Sequence, residues 1–305
     1  MNNELDNNQI IGALTRSVET LCDSLFRLVS KIRCDVAKEY NEEKKLVQCL
    51  LQIVMCKMKT IQLLANGTPI EEVNIVDISS MITIERSLYE LVFIVHNIFG
   101  MTDNKDERQI LINLWKIRGL NNRQNIKCAS KEQQKQQQLE KEHIDRLKSQ
   151  IIDIVLRIGI KGKAKEDLEK CIICNSTMPQ GYRFKKENNV IVAFEKIPYS
   201  VSAKELFSDS KVYEVIYKLL SAHAHPSYLG VLQIGEMYNS SEYKQHLKTI
   251  LNGICFLSSF LIFDFCKSVS NVKSFFDELP EENKMIVNVY ISMNENNRGT
   301  NVFMH

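Results

Sequence analysis

Residues 11–36 read IGALTRSVETLCDSLFRLVSKIRCDV, and their apolar positions recur in steps of three and four. That spacing places one apolar stripe along a helix of about 30 residues. A second helix is expected from about residue 42 to residue 65. It ends at Asn66-Gly67-Thr68-Pro69, where Gly allows a left-handed residue and Pro bars continuation. The sequence therefore predicts a long antiparallel helical hairpin over residues 1–65. The stripe consists of Ile11, Leu14, Val18, Leu21, Leu25, Leu28, Ile32 and Val36.

Helical periodicity continues through most of the remaining chain. A third helix, about Asp77 to Phe99, is apolar nearly all round from Leu88 onward, which is typical of a helix in the middle of a bundle. Further helices are expected over Lys105–Gln124, Lys131–Ile158, Asp209–His223, Tyr243–Ser268 and Glu281–Met293.

The pattern breaks between residues 175 and 208, where Val190–Phe194 is the single stretch that resembles a strand. The predicted fold class is all-α: a multi-helix bundle with the long N-terminal hairpin and at most one short β segment near residues 190–194. We expect a single helical domain over residues 1–305. Its predicted parts are the hairpin (1–65), the bundle core (77–174 and 209–294), an irregular insert (175–208) and a frayed tail (295–305).

The composition restricts the class of protein but says little about its activity. The 305 residues are 44% hydrophobic and 25% charged, which is typical of a globular protein. Only 5 prolines and 11 glycines occur, too few for the frequent turns of a β-sandwich or barrel. A formal charge of +2 excludes a histone-like polyanion binder and leaves room for a local basic patch.

The cysteines and the apolar stretches indicate a cytoplasmic protein. The nine cysteines are odd in number and lie mostly in apolar segments with helical spacing, which favours free thiols over a disulfide scaffold. The first ten residues carry Glu4 and Asp6 and no basic segment, so no secretory signal is expected. Thr249–Phe263 has no charge but is shorter than a membrane span and contains polar residues, so we interpret it as a buried core helix with no membrane association.

Two motifs have spacings that metal sites also use. Cys171-Ile-Ile-Cys174 matches a redox pair or half a zinc site, but neither a second pair nor a βαβ context accompanies it. His223-Ala-His225 follows a predicted helix rather than a barrel strand, and no carboxylate lies beside it. We therefore expect two cysteines near a helix end, one buried and one exposed histidine, and neither metal nor cofactor.

A polar cluster is predicted from four-residue spacings on two helices. Arg86 and Glu90 share a face of the most apolar helix, and Tyr217, Ser221 and His225 share a face of another. Buried charges are tolerated only when paired and hydrogen-bonded, so these five residues are expected to meet. They are the candidate catalytic residues. The alternative interpretation is a structural ion pair that sets helix register.

Two stretches resemble a bacterial family of helical proteins of unknown function. Arg86-Ser-Leu-Tyr-Glu90 is similar to its Arg-Ser-x-x-Glu helix, and residues 217–226 are similar to its Tyr-x-x-x-Ser-x-x-x-His-Pro element. Some members are presumed abortive-infection or defence proteins. The resemblance covers about a tenth of the chain and implies an all-helical fold in which Arg86, Glu90, Tyr217, Ser221 and His225 converge. It implies no settled activity.

Common enzyme motifs are missing from the sequence. It has no Walker loop, dinucleotide turn, Gly-x-Ser-x-Gly elbow or His-Glu-x-x-His pair. Many helical ribonucleases use an Arg followed four to six positions later by His, and Arg86 and His96 are too far apart for that motif. Basic residues do gather near 105–127 and 157–165, where RNA binding is possible.

Three hypotheses of function follow. The first is a bacterial stress or phage-defence factor that acts through a protein partner or small ligand at a polar pocket. The second is a divergent, metal-independent helical ribonuclease that uses His225 or His223 with Arg86 and Tyr217, since a base and a charge stabiliser suffice for attack by a 2′-hydroxyl. The third is an oligomeric scaffold. The expected partner is an unidentified protein or a second copy of the chain.

Overall fold

The computed structural model describes residues 2–174, 181–206, 216, 218–222, 228–237 and 242–295, and these residues are predominantly helical. Two compact units emerge, one of Met1–Val92 with Ala203–His305 (the terminal unit) and one of Phe93–Ser202 (the central unit). The broad all-α prediction is confirmed. That the chain forms a single domain stays a prediction.

The helices and strands of the terminal unit begin with α1 (Asn2–Lys38), α2 (Glu42–Ala65), β1 (Thr68–Ile70), β2 (Val73–Ile75) and α3 (Ile78–Val95), whose last turn reaches into the central unit. After the central unit come α8 (Tyr228–Met237), α9 (Tyr243–Ser268), α10 (Val272–Asp277) and α11 (Glu281–Glu295). The central unit contains a π-turn (His96–Gly100), α4 (Lys105–Gln124), α5 (Lys131–Ile158), α6 (Gly162–Ile173), β3 (Gly181–Glu187), β4 (Val190–Ile197) and the first half of α7 (Tyr199–Leu206).

In the terminal unit, α1 packs on α2 and α9, and α9 also packs on α11. Lys44 Nζ lies 2.6 Å from Asp35 Oδ2, and Gln62 Nε2 donates to Glu19 Oε1 at 2.7 Å, so α1 and α2 run antiparallel. The stripe on α1 forms part of the core, because its residues from Val18 to Ile32 are buried.

Two described helices, α2 and α9, have the length and hydropathy of a membrane span. The share of the apolar window that is buried inside the protein is 44% for α2 and 72% for α9. Ser258 of α9 donates to the Met58 sulfur of α2 at 2.8 Å, inside the core. The cytoplasmic localisation stays a prediction.

In the central unit, α4 and α5 form an antiparallel pair whose ends follow local capping signals. Asn104 caps α4, Ser130 and Gln133 form a capping box on α5, and Gly159 ends α5 with φ +71°. These ends coincide with the helices predicted over Lys105–Gln124 and Lys131–Ile158, which are confirmed. The third predicted helix is confirmed only as far as Val95, since His96–Gly100 widens into a π-turn.

The prediction of at most one short β segment near residues 190–194 is wrong. Four strands are described, in two antiparallel hairpins, β1 with β2 and β3 with β4. A lone strand leaves its backbone groups unpaired, so Val190–Phe194 needs a partner, and Gly181–Glu187 supplies it. Asn188 and Asn189, with φ +49° and +64°, form the connecting turn.

The prediction of an irregular insert over residues 175–208 is also wrong for its described part. Residues 181–197 form the β3–β4 hairpin, and 199–206 form α7. The basic residues of β3 obscure its strand pattern in the sequence: Tyr182 is buried, whereas Lys185 and Lys186 are exposed. The predicted frayed tail lies outside the described residues apart from Glu295, the last residue of α11.

Candidate functional site

The predicted polar cluster is described in part. On α3, Arg86 Nε lies 3.2 Å from Glu90 Oε1, and their side chains are 18% and 37% exposed. Ser221 is helical and half-buried, whereas Tyr217 and His225 lie outside the described residues. The structure thus brings Arg86 and Glu90 together at the edge of the core rather than inside it. The convergence of all five residues stays a prediction.

The deeply buried charge of α3 is Glu85, which sequence reasoning missed. Its side chain is 2% exposed and lies against Gly253 of α9, where a β-carbon would come within 2.1 Å of Glu85 Oε1. Burial alone raises the pKa of this carboxyl well above 4.5, because no described residue donates a hydrogen bond to it. A signal was present in the sequence, since Glu85 occupies a core position of the α3 stripe between the buried Ile82 and Leu88.

The π-turn at the end of α3 is entirely buried. Asn97 Nδ2 donates to the Phe93 carbonyl at 2.8 Å and to Ser202 Oγ at 2.7 Å, while Asn97 Oδ1 accepts no hydrogen bond from the described residues. Gly181 lies against the same amide, and a β-carbon there would approach Asn97 Nδ2 to 2.6 Å. π-turns recur at functional sites. This one joins three elements of the central unit, and its Ile98 lines a small cavity together with Arg118 and Tyr182.

A second buried charge, Arg118 of α4, forms a cluster with Tyr182 of β3 and Cys171 of α6, here called the Arg118 cluster. Arg118 is 4% exposed, its Nη2 donates to Tyr182 Oη, and its guanidinium carbon lies 4.3 Å from the Tyr182 ring centroid. The Cys171 thiol lies near enough to Tyr182 for each group to influence the pKa of the other. Trp115 lines a small cavity beside Arg118 and Tyr182.

Burial and neighbouring charge act in opposite directions on the titratable groups of this cluster. Burial raises the pKa of Tyr182 and that of Cys171, and the Arg118 guanidinium partly offsets both increases. Both groups are therefore protonated at neutral pH. No sequence signal connects them, because Arg118 and Tyr182 are 64 positions apart in the chain.

An apolar groove runs between α5 and α6. Its floor contains the buried Val155, Leu168 and Ile172, whereas three aliphatic side chains on its rim are exposed. Ile152, Leu156 and Ile173 are 49%, 67% and 74% exposed. Lys165 Nζ and Glu169 Oε1, 3.7 Å apart, lie along the same rim.

Four of the basic residues near 105–127 and 157–165 are buried or paired with a carboxylate. Arg108 and Arg118 are buried, Arg108 donating to the Thr102 carbonyl at 3.0 Å. Arg123 pairs with Glu140 at 2.7 Å, and Arg157 pairs with Asp106 at 2.6 Å. The two buried arginines are out of reach of a phosphate backbone. RNA binding stays a prediction that rests on the remaining residues.

Within the described part of the chain, no three side chains of His, Cys, Asp and Glu are grouped as a metal site would require. His223 and His225 lie outside the described residues. No protein-family model matches the chain, and comparison with curated proteins and with solved structures found no match. The resemblance to a bacterial family with presumed defence members therefore stays a prediction.

Proposed function

We propose that the chain acts by binding a protein partner, and that the partner is a second copy of the chain that docks in the groove between α5 and α6. The observation that carries this proposal is the exposure of Ile152, Leu156 and Ile173 beside a buried apolar floor. Contiguous exposed apolar surface costs free energy in water, and in folded proteins it marks interaction sites.

The charges on the groove rim favour a second copy over an unrelated partner. Lys165 and Glu169 lie one helical turn apart, so α6 presents one positive and one negative group along the same edge. A two-fold axis that sets two α6 helices antiparallel brings Lys165 of each copy to Glu169 of the other. The aliphatic rims then face each other, and two α5–α6 hairpins make a four-helix arrangement.

The role in bacterial stress or phage defence is part of the same proposal and is supported by the resemblance alone. A small ligand at the predicted polar pocket and a ribonuclease both depend on Tyr217 and His225. Because those residues lie outside the described part of the chain, the groove supports the assembly proposal more directly.

Leu156→Asp tests the proposal. Light scattering coupled to size-exclusion chromatography should show a dimer for the wild-type chain at micromolar concentration and a monomer for the variant, because a buried aspartate without a partner is strongly disfavoured. Leu63→Asp is the matched control: Leu63 lies on α2, is 62% exposed and is far from the groove in sequence. That variant should keep the wild-type mass.

Charge reversal distinguishes a second copy from other occupants. Lys165→Glu and Glu169→Lys should each weaken the dimer, and the double variant should restore it, since the two-fold pairing is then intact. A wild-type chain that stays monomeric across the concentration series would overturn the proposal. So would a Leu156→Asp dimer as stable as the wild type.

A further inference from the structure

We infer that Cys171 and Cys174 are a redox-sensitive pair that closes to a disulfide on reaction with a small-molecule disulfide. The inference stands on the end of α6 and on the Arg118 cluster, and it does not depend on the docking of a second copy.

The position of the pair on α6 suits disulfide closure. Cys171 lies in the last turn of the helix, and Cys174 follows its final residue. Residues three apart on a helix share a face, with β-carbons about 5–6 Å apart, and a disulfide requires about 3.5–4.5 Å. Cys174 has already left helical geometry, with φ −64° and ψ +119°, so a rotation there closes the gap without opening the interior of α6.

Exposure assigns different chemical roles to the two thiols. Cys174 is exposed and Cys171 is half-buried against Tyr182, so Cys174 meets the small molecule first. Three other cysteines, Cys22, Cys255 and Cys266, are buried, and burial raises their pKa values to about 11, 12 and 12. Because these three thiols are buried, a small disulfide does not reach them.

The reaction proceeds in two balanced steps. The Cys174 thiolate attacks one sulfur of the small disulfide, forms a mixed disulfide and releases one small thiolate. The Cys171 thiolate then attacks the Cys174 sulfur, which releases the second small thiolate, and the protons lost by the two cysteines go to these leaving groups. The two cysteines are oxidised and the small disulfide is reduced to two thiols.

Closure changes two features that the structure already links to Cys171. The Cys171 sulfur moves away from Tyr182, the residue whose hydroxyl accepts a hydrogen bond from Arg118. The residues between the cysteines, Ile172 and Ile173, belong to the groove between α5 and α6. Trp115, the single tryptophan of the chain, lines the cavity with Arg118 and Tyr182 and therefore reports on the change.

The test treats the full chain with oxidised glutathione, alkylates the remaining thiols and maps the peptides by mass spectrometry. We expect a Cys171–Cys174 linkage that lacks two hydrogen atoms, together with a change in Trp115 fluorescence that dithiothreitol reverses. Cys171→Ser should instead retain a glutathione adduct on Cys174, because the resolving thiol is gone. Exposed Cys34, Cys49 and Cys56 provide the internal control: they take up adducts without forming this linkage.

A wild-type chain that keeps a stable glutathione adduct on Cys174, or that leaves both thiols reduced while Cys34 reacts, would overturn the inference. Leu156→Asp should form the linkage as readily as the wild type. The two tests are therefore independent. The disulfide can be tested if the chain does not dimerise, and the dimer can be tested if the disulfide does not form.

Discussion

Each of the two units buries an ionisable side chain in its core, and the surroundings of the two side chains differ. In the central unit Arg118 is 4% exposed, and the Tyr182 hydroxyl and ring face compensate its charge. In the terminal unit Glu85 is 2% exposed and faces the backbone of Gly253, with no described donor. A guanidinium cannot release its proton and must be compensated, whereas a carboxyl can keep its proton and become neutral. Arg118 therefore keeps its charge, whereas Glu85 holds its proton to a higher pH than an exposed carboxyl does.

The largest expected effect follows from that proton. The folded pKa of Glu85 lies above its ordinary 4.5, so the folded chain binds more protons than the unfolded chain once the pH exceeds that value. The free energy of unfolding therefore falls by about 1.4 kcal/mol per pH unit as the pH rises from 4.5 toward the folded pKa. Glu85→Gln, neutral at every pH, should lack this decline in urea unfolding between pH 5 and 8.

Glu90→Gln is the control for that measurement. It lies on the same helix with a side chain 37% exposed, and it should keep the wild-type slope. Parallel pH profiles for the wild type and Glu85→Gln would mean that Glu85 is charged in the folded chain, and the contrast with Arg118 would disappear.

Removing the compensation of Arg118 should give the next largest effect. Tyr182→Phe deletes the hydroxyl that accepts from Arg118, and hydrogen bonds to charged groups contribute about 1.5–3 kcal/mol. The loss should be the same from pH 6 to pH 8, because the guanidinium stays charged throughout that range. Tyr40→Phe, at a tyrosine 74% exposed, should change the free energy of unfolding by less than about 0.5 kcal/mol.

Gly253→Ala tests how tightly Glu85 is enclosed. An alanine normally stabilises a helix interior by about 0.5–1 kcal/mol relative to glycine, and Gly119→Ala, with no heavy atom within 4 Å, should show that gain. At Gly253 the new methyl group displaces the Glu85 carboxyl, and overpacking of this kind costs about 1–3 kcal/mol. Thermal unfolding in a Glu85→Ala background should restore the ordinary gain. A cost that persists there would place the clash elsewhere.

The smallest effect is expected for Arg86 and Glu90. A fully buried ion pair would cost about 3–5 kcal/mol when one partner is truncated, but these side chains are 18% and 37% exposed. A double-mutant cycle with alanine at both positions should give a coupling of about 0.3–0.5 kcal/mol, which 1 M salt should reduce. A coupling above 2 kcal/mol would show that the pair belongs to the core after all.

Local patterns predicted the helices better than the strands for a physical reason. Asn104 and Ser130 begin α4 and α5 through hydrogen bonds within the first turn, so the helix ends are encoded within a few residues. Strand β3 carries Lys185 and Lys186, and its regular structure depends on the backbone of β4. Strand β3 forms because it pairs with β4, and the residue pattern of either segment alone does not show that pairing.

The same division applies to the candidate site. The sequence by itself determined that Arg86 meets Glu90, because a four-residue spacing on a helix brings the two side chains together whatever surrounds them. Only the tertiary structure decided that Glu85, one position away, is the carboxyl removed from water, since that depends on α9 presenting Gly253 to it. It likewise brought Tyr182 to Arg118 across 64 positions of the chain. Helix geometry is local, whereas desolvation and the choice of a partner depend on which elements cover each face.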